Sequence, residues 1–145
     1  MEITLREITK DNWEECIKLK VGPGQENFVA SNLYSIAESK FEPDWMPLAI
    51  YHDKSLVGFM MYGYDSRDNN YWVIQLMVDA AYQGRGYGRA AMREVIRRLR
   101  ARPDCREIKI SYVPANSSAE KLYLSLGFQH TRLIEDGEIV LCLPL

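Results

Sequence analysis

The sequence lacks the features that mark membrane, secreted, metal-binding and nucleic-acid-binding proteins. No apolar run approaches the length of a membrane span, and the amino terminus has neither the basic region nor the cleavage site of a signal peptide. Cys16, Cys105 and Cys142 are far apart and stand at no spacing typical of a zinc site or a redox disulfide, which fits buried thiols in a reducing compartment. With 18 basic and 20 acidic side chains, the net charge of −2 predicts no overall attraction to nucleic acid. We therefore expect a cytoplasmic protein without a membrane, metal or nucleic-acid partner.

The length of 145 residues predicts one compact domain over residues 1–145, because it is enough to bury a core and too short for two ordinary domains. A cap at residues 11–14, with the acid Glu14 as its partner, opens a helix that runs to Lys20. The predicted element order is β-α-α-β-β-β-α-β-α-β-β. The strands are expected at 3–8, 46–51, 56–64, 71–78, 107–112, 128–134 and 138–143, and the later helices at 26–39, 86–102 and 116–126.

A glycine-rich loop, Gln83-Gly84-Arg85-Gly86-Tyr87-Gly88, connects a predicted strand to a predicted helix. This placement puts unpaired backbone N–H groups at the positive end of a helix, which predicts a cradle for a pyrophosphate. Glycines suit such a cradle because a side chain would block the approach of phosphate to the backbone. Arg85 and Arg89 are the candidates for phosphate contact. The alternative interpretation is a glycine-rich turn that binds no ligand.

Two other nucleotide-binding motifs fit the loop less well. A P-loop requires lysine followed by serine or threonine after the last glycine, whereas Arg89 and Ala90 follow Gly88. Residues 86–91 match the dinucleotide fingerprint, but the acid that binds ribose should end the next strand, and here Glu107 begins it. A dinucleotide oxidoreductase therefore remains only a distant alternative, which predicts binding of NAD.

The spacing Gln83-x-x-Gly86-x-Gly88, after a strand that ends Leu76-Met77-Val78, resembles the pyrophosphate motif of the GCN5-related N-acetyltransferases (GNAT family). The downstream segment 116–128, which runs from Asn116 through Tyr123 to Gly127-Phe128, resembles the second cofactor motif of that family. Within the family, residues 25–32, Trp45, 57–63 and 136–140 look most like bacterial spermine/spermidine acetyltransferases.

The resemblance implies an α/β (α+β) fold with a mixed, mostly antiparallel seven-stranded sheet, helices on both faces, and splayed fourth and fifth strands. It implies acetyl-CoA as the cofactor, with the N–H of Leu76 polarising the thioester carbonyl and Tyr123 protonating the CoA thiolate. On position alone, Tyr123 is more typical of a core residue on the apolar face of its helix, and only the surrounding motif favours the functional role. The implied cofactor-binding residues are Leu76, Met77, Val78, Gln83, Gly84, Arg85, Gly86, Tyr87, Gly88, Arg89, Asn116, Ala119 and Tyr123.

The sequence does not identify the group that takes the proton from the amine substrate, because strand 71–78 contains no carboxylate. Glu26, Glu38, Glu42 and Asp44 lie in or near the segment that the resemblance assigns to substrate, with Trp45 beside them. They could bind a polyamine such as spermidine or spermine, or they could be ordinary solvated surface acids. The alternative acceptors are a protein amino terminus or an aminoglycoside, and an inactive CoA-binding module is the alternative function. We also expect a homodimer.

Overall fold

The computed structural model describes residues 2–145, and its elements follow the predicted order, with one further 3₁₀ helix at Ala80–Tyr82. The strands are β1 (Thr4–Glu7), β2 (Trp45–His52), β3 (Ser55–Asp65), β4 (Asn70–Val78), β5 (Glu107–Tyr112), β6 (Gln129–Glu135) and β7 (Glu138–Pro144). The helices are α1 (Trp13–Lys18), α2 (Asn32–Ser39), α3 (Tyr87–Arg100) and α4 (Ser117–Ser125). No helix in residues 2–145 is long and apolar enough to cross a membrane.

The strands form one seven-stranded sheet in the order β1-β2-β3-β4-β5-β7-β6. Every neighbouring pair is antiparallel except β4 and β5, which are parallel and are joined through α3. The predicted mixed, mostly antiparallel sheet is thus confirmed. Because β5 pairs with β7, the last strand lies between β5 and β6, one strand in from the edge of the sheet.

The helices cover both faces of the sheet, as predicted. On one face, α3 contributes Ala91, Val95 and Leu99, all fully buried, to the larger core, which also holds Tyr123 of α4. On the other face, Cys16 of α1 is buried against Phe59 and Met61 of β3, and α2 packs beside them. The two apolar faces of the sheet are therefore both removed from water, which is the main stabilising term for such a fold.

Strands β4 and β5 separate part way along their length. Their parallel pairing runs only from Tyr71, opposite Ile108, to Val73, opposite Ile110. At that point β4 carries a bulge: Gln75 pairs with Met61 and Val73 with Tyr62, so Ile74 is an extra residue. A bulge bends its strand and interrupts pairing. Both strands continue beyond the bulge, and a wedge-shaped opening separates them, as expected.

Two local predictions were wrong. The predicted cap of α1 does not form, because the Asn12 side chain accepts a hydrogen bond from Thr9 N (2.7 Å) and donates one to Glu7 O (3.0 Å) instead. The predicted helix at 26–39 begins only at residue 32, where the hydroxyl of Ser31 caps α2 by accepting from Tyr34 N (3.1 Å). Residues 26–30 are therefore free to form a wall beside β4.

Candidate active site

Two clefts meet at the opening between β4 and β5. The first, here the loop cleft, has a volume of about 420 Å³ and lies between the end of β4, the loop 83–88 and α4. The second, here the strand cleft, has a volume of about 430 Å³ and lies between residues 26–30, β4, β5 and the start of β7. Leu76, Asn116 and Tyr123 line both clefts. A reaction between groups held in the two clefts would therefore take place beside these residues.

The glycine loop forms one wall of the loop cleft through its backbone. Gly84 (φ 78°) and Gly86 (φ 88°) both adopt the left-handed conformation that favours glycine, and Gly86 caps α3. Ala90 N is the first amide to bond inside the helix, to Gly86 O (3.0 Å). The preceding amides of the first turn are therefore free to bind an anion, and the helix dipole favours negative charge at this position.

Gly88 keeps this part of the loop cleft open. It lies in the first turn of α3 at an ordinary helical conformation, and a Cβ built on it would stand 3.8 Å from both Val78 Cγ2 and Leu122 Cδ2. These are ordinary contact distances, so packing within the protein does not require a glycine here. The glycine instead leaves room for a ligand between β4 and α4.

The side chains of the loop have different positions relative to the cleft. Gln83 donates to Val78 O (3.0 Å) and to Gln25 Oε1 (2.9 Å), so it braces the loop against β4 and the segment before α2. Arg89 lines the cleft and donates to Ser125 Oγ on α4 (2.7 Å). Arg85 is exposed and lies over the ring of Tyr82, outside the cleft wall. Of the two arginines considered for phosphate contact, Arg89 has the better position.

Tyr87 and the end of β4 complete the loop cleft. Tyr87 is buried, and its hydroxyl is 3.1 Å from His52 Nδ1, which fixes the first turn of α3 against β2. Leu76, Met77 and Val78 all line the cleft, although the Met77 side chain also packs into the core under α1 and α2. Beyond Val73 the edge of β4 that faces the opening has no strand beside it. This edge can pair with an extended ligand as a further strand would.

The helix α4 places Tyr123 at the junction of the two clefts. Asn116 caps the helix by accepting from Ala119 N (3.2 Å), and both residues line the loop cleft. At the other end, Gly127 (φ 100°) closes a Schellman turn in which Phe128 N bonds to Tyr123 O (3.1 Å). Both ends of the helix are therefore held, and the tyrosine cannot shift along the cleft.

Tyr123 has the protonation state that a proton donor needs. The residue is 6% exposed, and burial, together with the nearby charge of Glu138, raises the pKa of its phenol well above the ordinary value. A raised pKa means that the phenol keeps its proton at neutral and moderately alkaline pH. Tyr123 packs against Phe128 in the core and also lines both clefts, so its core position is compatible with a functional role.

Among residues 2–145, the strand cleft is lined by two carboxylates and by no lysine, arginine or histidine. Glu26 projects from the 26–30 wall, and Glu138 lies at the start of β7. Neither glutamate forms an ion pair within residues 2–145. An uncompensated pair of negative charges favours a cationic ligand in this cleft.

The other residues considered for substrate binding lie elsewhere. Glu38 is on α2, where burial and the charge of Glu42 raise its pKa. Asp44 lines a separate hollow beside Tyr64 and Arg102. Trp45 is 7% exposed, packs in the core under α1 and α2, and donates its indole N–H to Tyr64 O (3.1 Å). Of these five residues, only Glu26 reaches the strand cleft, because the segment containing it is not helical.

Several residues of the strand cleft did not emerge from the sequence. Gln75 is 8% exposed and donates to Ala30 O (2.5 Å), so it ties the 26–30 wall to β4. Ser111 Oγ donates to Glu138 Oε1 (3.1 Å), and Tyr112 donates its hydroxyl to Glu120. The contact between Ser111 and Glu138 depends on the pairing of β5 with β7, for which the linear sequence carries no local signal.

Comparisons with known proteins agree with this geometry. The model of the acetyltransferase (GNAT) family matches residues 5–128. A spermine/spermidine N(1)-acetyltransferase of Bacillus subtilis (strain 168) is 28% identical to the chain, with 97% of each chain covered. A PaiA N-acetyltransferase from Thermoplasma acidophilum, solved in complex with coenzyme A, has a TM-score of 0.75 at 16% identity and full coverage of both chains. The aminoglycoside acetyltransferase AAC(6')-Ib, also in complex with coenzyme A, has a TM-score of 0.80 at 15% identity, covering 99% of this chain and 95% of its own.

Proposed function

Since the chain belongs to the acetyltransferase (GNAT) family and is an N-acetyltransferase, we propose that it moves the acetyl group of acetyl-CoA directly to a small cationic amine. A polyamine such as spermidine or spermine is the proposed acceptor. The observation that carries this proposal is the charge of the strand cleft, which has two carboxylates and no basic side chain. A diamine or triamine presents charges that such a cleft can bind at two points.

The loop cleft fits acetyl-CoA. Its helix start, with Gly86 and Gly88, offers free amides for a pyrophosphate, and Arg89 lies beside them. The free edge of β4 at Leu76 and Val78 suits the amide-containing arm of the cofactor. Acetyl-CoA supplies the activated acyl carbon as a thioester. With the cofactor bound along this edge, the N–H of Leu76 would be the group that stabilises negative charge on the thioester oxygen.

Tyr123 is the proposed general acid. It lies where the two clefts meet, and its raised pKa keeps the proton available for transfer to the departing sulfur. A phenol can protonate a thiolate when the two atoms are held in hydrogen-bond contact. In this arrangement the acid is part of the rigid helix α4 and needs no conformational change to reach its position.

The specificity for polyamines rests on Glu26 and Glu138, which lie on different walls of the strand cleft. The Bacillus subtilis relative is named for spermine and spermidine, whereas one structural relative is named for aminoglycosides. Both acceptor classes are cationic amines, so the cleft charge alone is compatible with either. The relative that matches by sequence over nearly its full length favours the polyamine.

We further propose that the chain acts as a single domain in the cytoplasm and as a homodimer. The free thiols of Cys16, Cys105 and Cys142 suit a reducing compartment. Strand β6 is one of the two edge strands of the sheet, and its exposed Leu133 and Ile134 offer apolar surface to a second copy. Sedimentation at micromolar concentration should show a dimer, and a purely monomeric species would refute that part of the proposal.

The test of the proposed function is a steady-state assay of CoA release with spermidine, paromomycin and butylamine as acceptors. We expect kcat/KM for spermidine to exceed that for butylamine by at least about tenfold, and the preference to weaken with added salt. Equal kcat/KM values for spermidine and butylamine would refute the polyamine assignment. Stabilisation by CoA without turnover of any amine would instead support an inactive CoA-binding module.

A further inference from the structure

We propose that Glu138 is the catalytic residue that accepts the proton of the amine substrate. This inference rests on the proposed acetyltransferase function and concerns the step that β4, with no carboxylate in its sequence, leaves unassigned. At neutral pH an alkylamine with a reference pKa of about 10.4 is neutral in only about one molecule in a thousand. The transfer therefore needs a base inside the strand cleft.

The position of Glu138 suits this role. It lines the strand cleft together with Leu76 and Tyr123, the residues at the junction with the loop cleft. Its charge is close enough to Tyr123 to contribute to the raised pKa of that phenol. Glu138 as the base, on β7, and Tyr123 as the acid, on α4, would therefore act at the same junction of the two clefts.

A hydrogen bond orients the carboxylate. Ser111 Oγ donates to Glu138 Oε1 (3.1 Å), while Oε2 accepts no hydrogen bond within residues 2–145. The pairing of Ser111 with Val140 and of Tyr112 with Ile139 holds β5 and the start of β7 together at this point. The arrangement therefore leaves one carboxylate oxygen free to accept a proton from a ligand in the cleft.

The other titratable groups around the strand cleft are less well placed. Glu120 lies on α4 but is not part of the cleft wall, and it already accepts the hydroxyl proton of Tyr112. Glu26 lines the cleft from the exposed 26–30 wall, where it can bind a second ammonium group. Glu135 of β6 faces Glu138 across the hairpin but does not line the cleft.

The proton and electron balance of the proposed step is complete. Glu138 Oε2 takes one proton from the ammonium, and the freed lone pair forms the bond to the acetyl carbon. The carbon–sulfur bond breaks, its electron pair goes to sulfur, and Tyr123 donates the proton that sulfur takes up. The surplus proton on nitrogen passes to the phenolate of Tyr123, and Glu138 releases its own proton to solvent. Both side chains finish in their starting states, with one proton released per turnover.

The test is the pH dependence of kcat/KM for spermidine in the wild type and in Glu138→Gln. An enzyme that deprotonates a bound ammonium ion should show a nearly level profile between its own acid limb and the amine pKa. Without the base, only the rare neutral amine reacts, so the value should rise about tenfold per pH unit over the same range. We expect the variant to be about a hundredfold to a thousandfold slower at pH 7 and to approach the wild type near pH 10.

Glu135→Gln is the matched control, since it removes the same charge from the neighbouring strand of the hairpin. It should keep the level profile of the wild type. Glu138→Asp retains a carboxylate and should keep a level profile at a lower rate, and Glu138→Ala should show the same slope as Glu138→Gln. The stabilisation of each variant by CoA checks that its fold and loop cleft are intact.

A second comparison uses propanediamine and its difluorinated analogue, in which fluorine makes the ammonium groups more acidic. The loss caused by Glu138→Gln should be several-fold smaller for the fluorinated amine, because more of it is already neutral. A loss of kcat/KM that is constant across pH and equal for the two amines would mean that Glu138 has only a structural role. An unchanged kcat/KM would mean that Glu138 takes no part in the reaction. Failure of the wild type to acetylate any amine would instead refute the proposed function.

Discussion

Replacement of Gly88 by alanine should separate the stability of the fold from the affinity for the cofactor. Gly88 is the second residue of α3, and its conformation is an ordinary helical one that alanine adopts without strain. Gly86 is a poorer choice, because its φ of 88° makes any side chain unfavourable at that position. The variant Gly88→Ala changes only the occupancy of the space between β4 and α4.

The two expected effects have opposite signs. The new Cβ would lie 3.8 Å from Val78 and Leu122, a normal contact, and alanine is favoured over glycine in a helix by up to about 1 kcal/mol. The protein without ligand should therefore be as stable as the wild type or slightly more stable. The same methyl group stands where a phosphate approaches the helix amides, and loss of one charge-assisted hydrogen bond is worth about 1.5–3 kcal/mol. The dissociation constant for CoA should rise about tenfold to a hundredfold.

Thermal unfolding and calorimetric titration with CoA measure the two effects independently. Gly137→Ala is the control: Gly137 lies in the β6–β7 turn at a φ of 78° and does not line the loop cleft. That variant should lose stability and keep its affinity for CoA. If Gly88→Ala binds CoA as tightly as the wild type, the first turn of α3 does not hold the pyrophosphate and the assignment of the loop cleft fails.

Two further predictions concern protons. Tyr123→Phe should bind CoA normally and lose roughly a hundredfold in kcat. Because burial raises the pKa of Tyr123, wild-type activity should show no alkaline loss from this phenol below about pH 10. Equal turnover in the two proteins would mean that Tyr123 has only a structural role. Hydrogen bonds from Arg97 and then from Arg98 lower the pKa of Glu94 from 4.5 to about 2, so its contribution to stability is complete above pH 4.5 and is lost as pH falls through about 2. After allowance for solvent screening, Glu94→Gln should cost about 1 kcal/mol of unfolding free energy at pH 7 and only a small fraction of that near pH 2, and a cost independent of pH would contradict the ion-pair explanation.

The parts of the site that could be predicted from the sequence are those built from one continuous stretch of chain. The loop 83–88 lies between a strand and a helix, so the positions of its free amides follow from local geometry alone. The cap at Asn116 and the helix end at Gly127 likewise define α4, and with it the position of Tyr123 along the helix. The turn at Asp136 and Gly137, both at positive φ, predicts the final hairpin in the same way.

The parts that could not be predicted depend on contacts between distant segments. Glu138 reaches the strand cleft because β7 inserts between β5 and β6. The segment before α2 was expected to be helical, but Gln25 Oε1 accepts from Gly22 N (2.9 Å) and from Gln83, and these bonds hold it in turns. The position of Glu26 in the strand cleft therefore follows from these long-range hydrogen bonds and could not be predicted from helix periodicity. The acids further along the chain do not line this cleft.

The bulge at Ile74 explains why Leu76 and Val78 face Tyr123. Side chains alternate between the two faces of a strand, so a single extra residue exchanges the faces of everything that follows it. Tyr71 and Val73 pack in the core under α3 and α4, and regular alternation would place Met77 there with them. Met77 instead packs under α1 and α2, while Leu76 and Val78 turn toward α4.

The same irregularity accounts for the absence of a carboxylate from β4. Gln75 follows the bulge, and its amide N–H donates to Ala30 O across the opening, which an ionised carboxylate could not do. The side chain that closes the strand cleft at this point must therefore be a hydrogen-bond donor. The base that we propose for the amine therefore lies outside β4: the sheet order brings Glu138, which accepts a hydrogen bond from Ser111, to the far side of the opening.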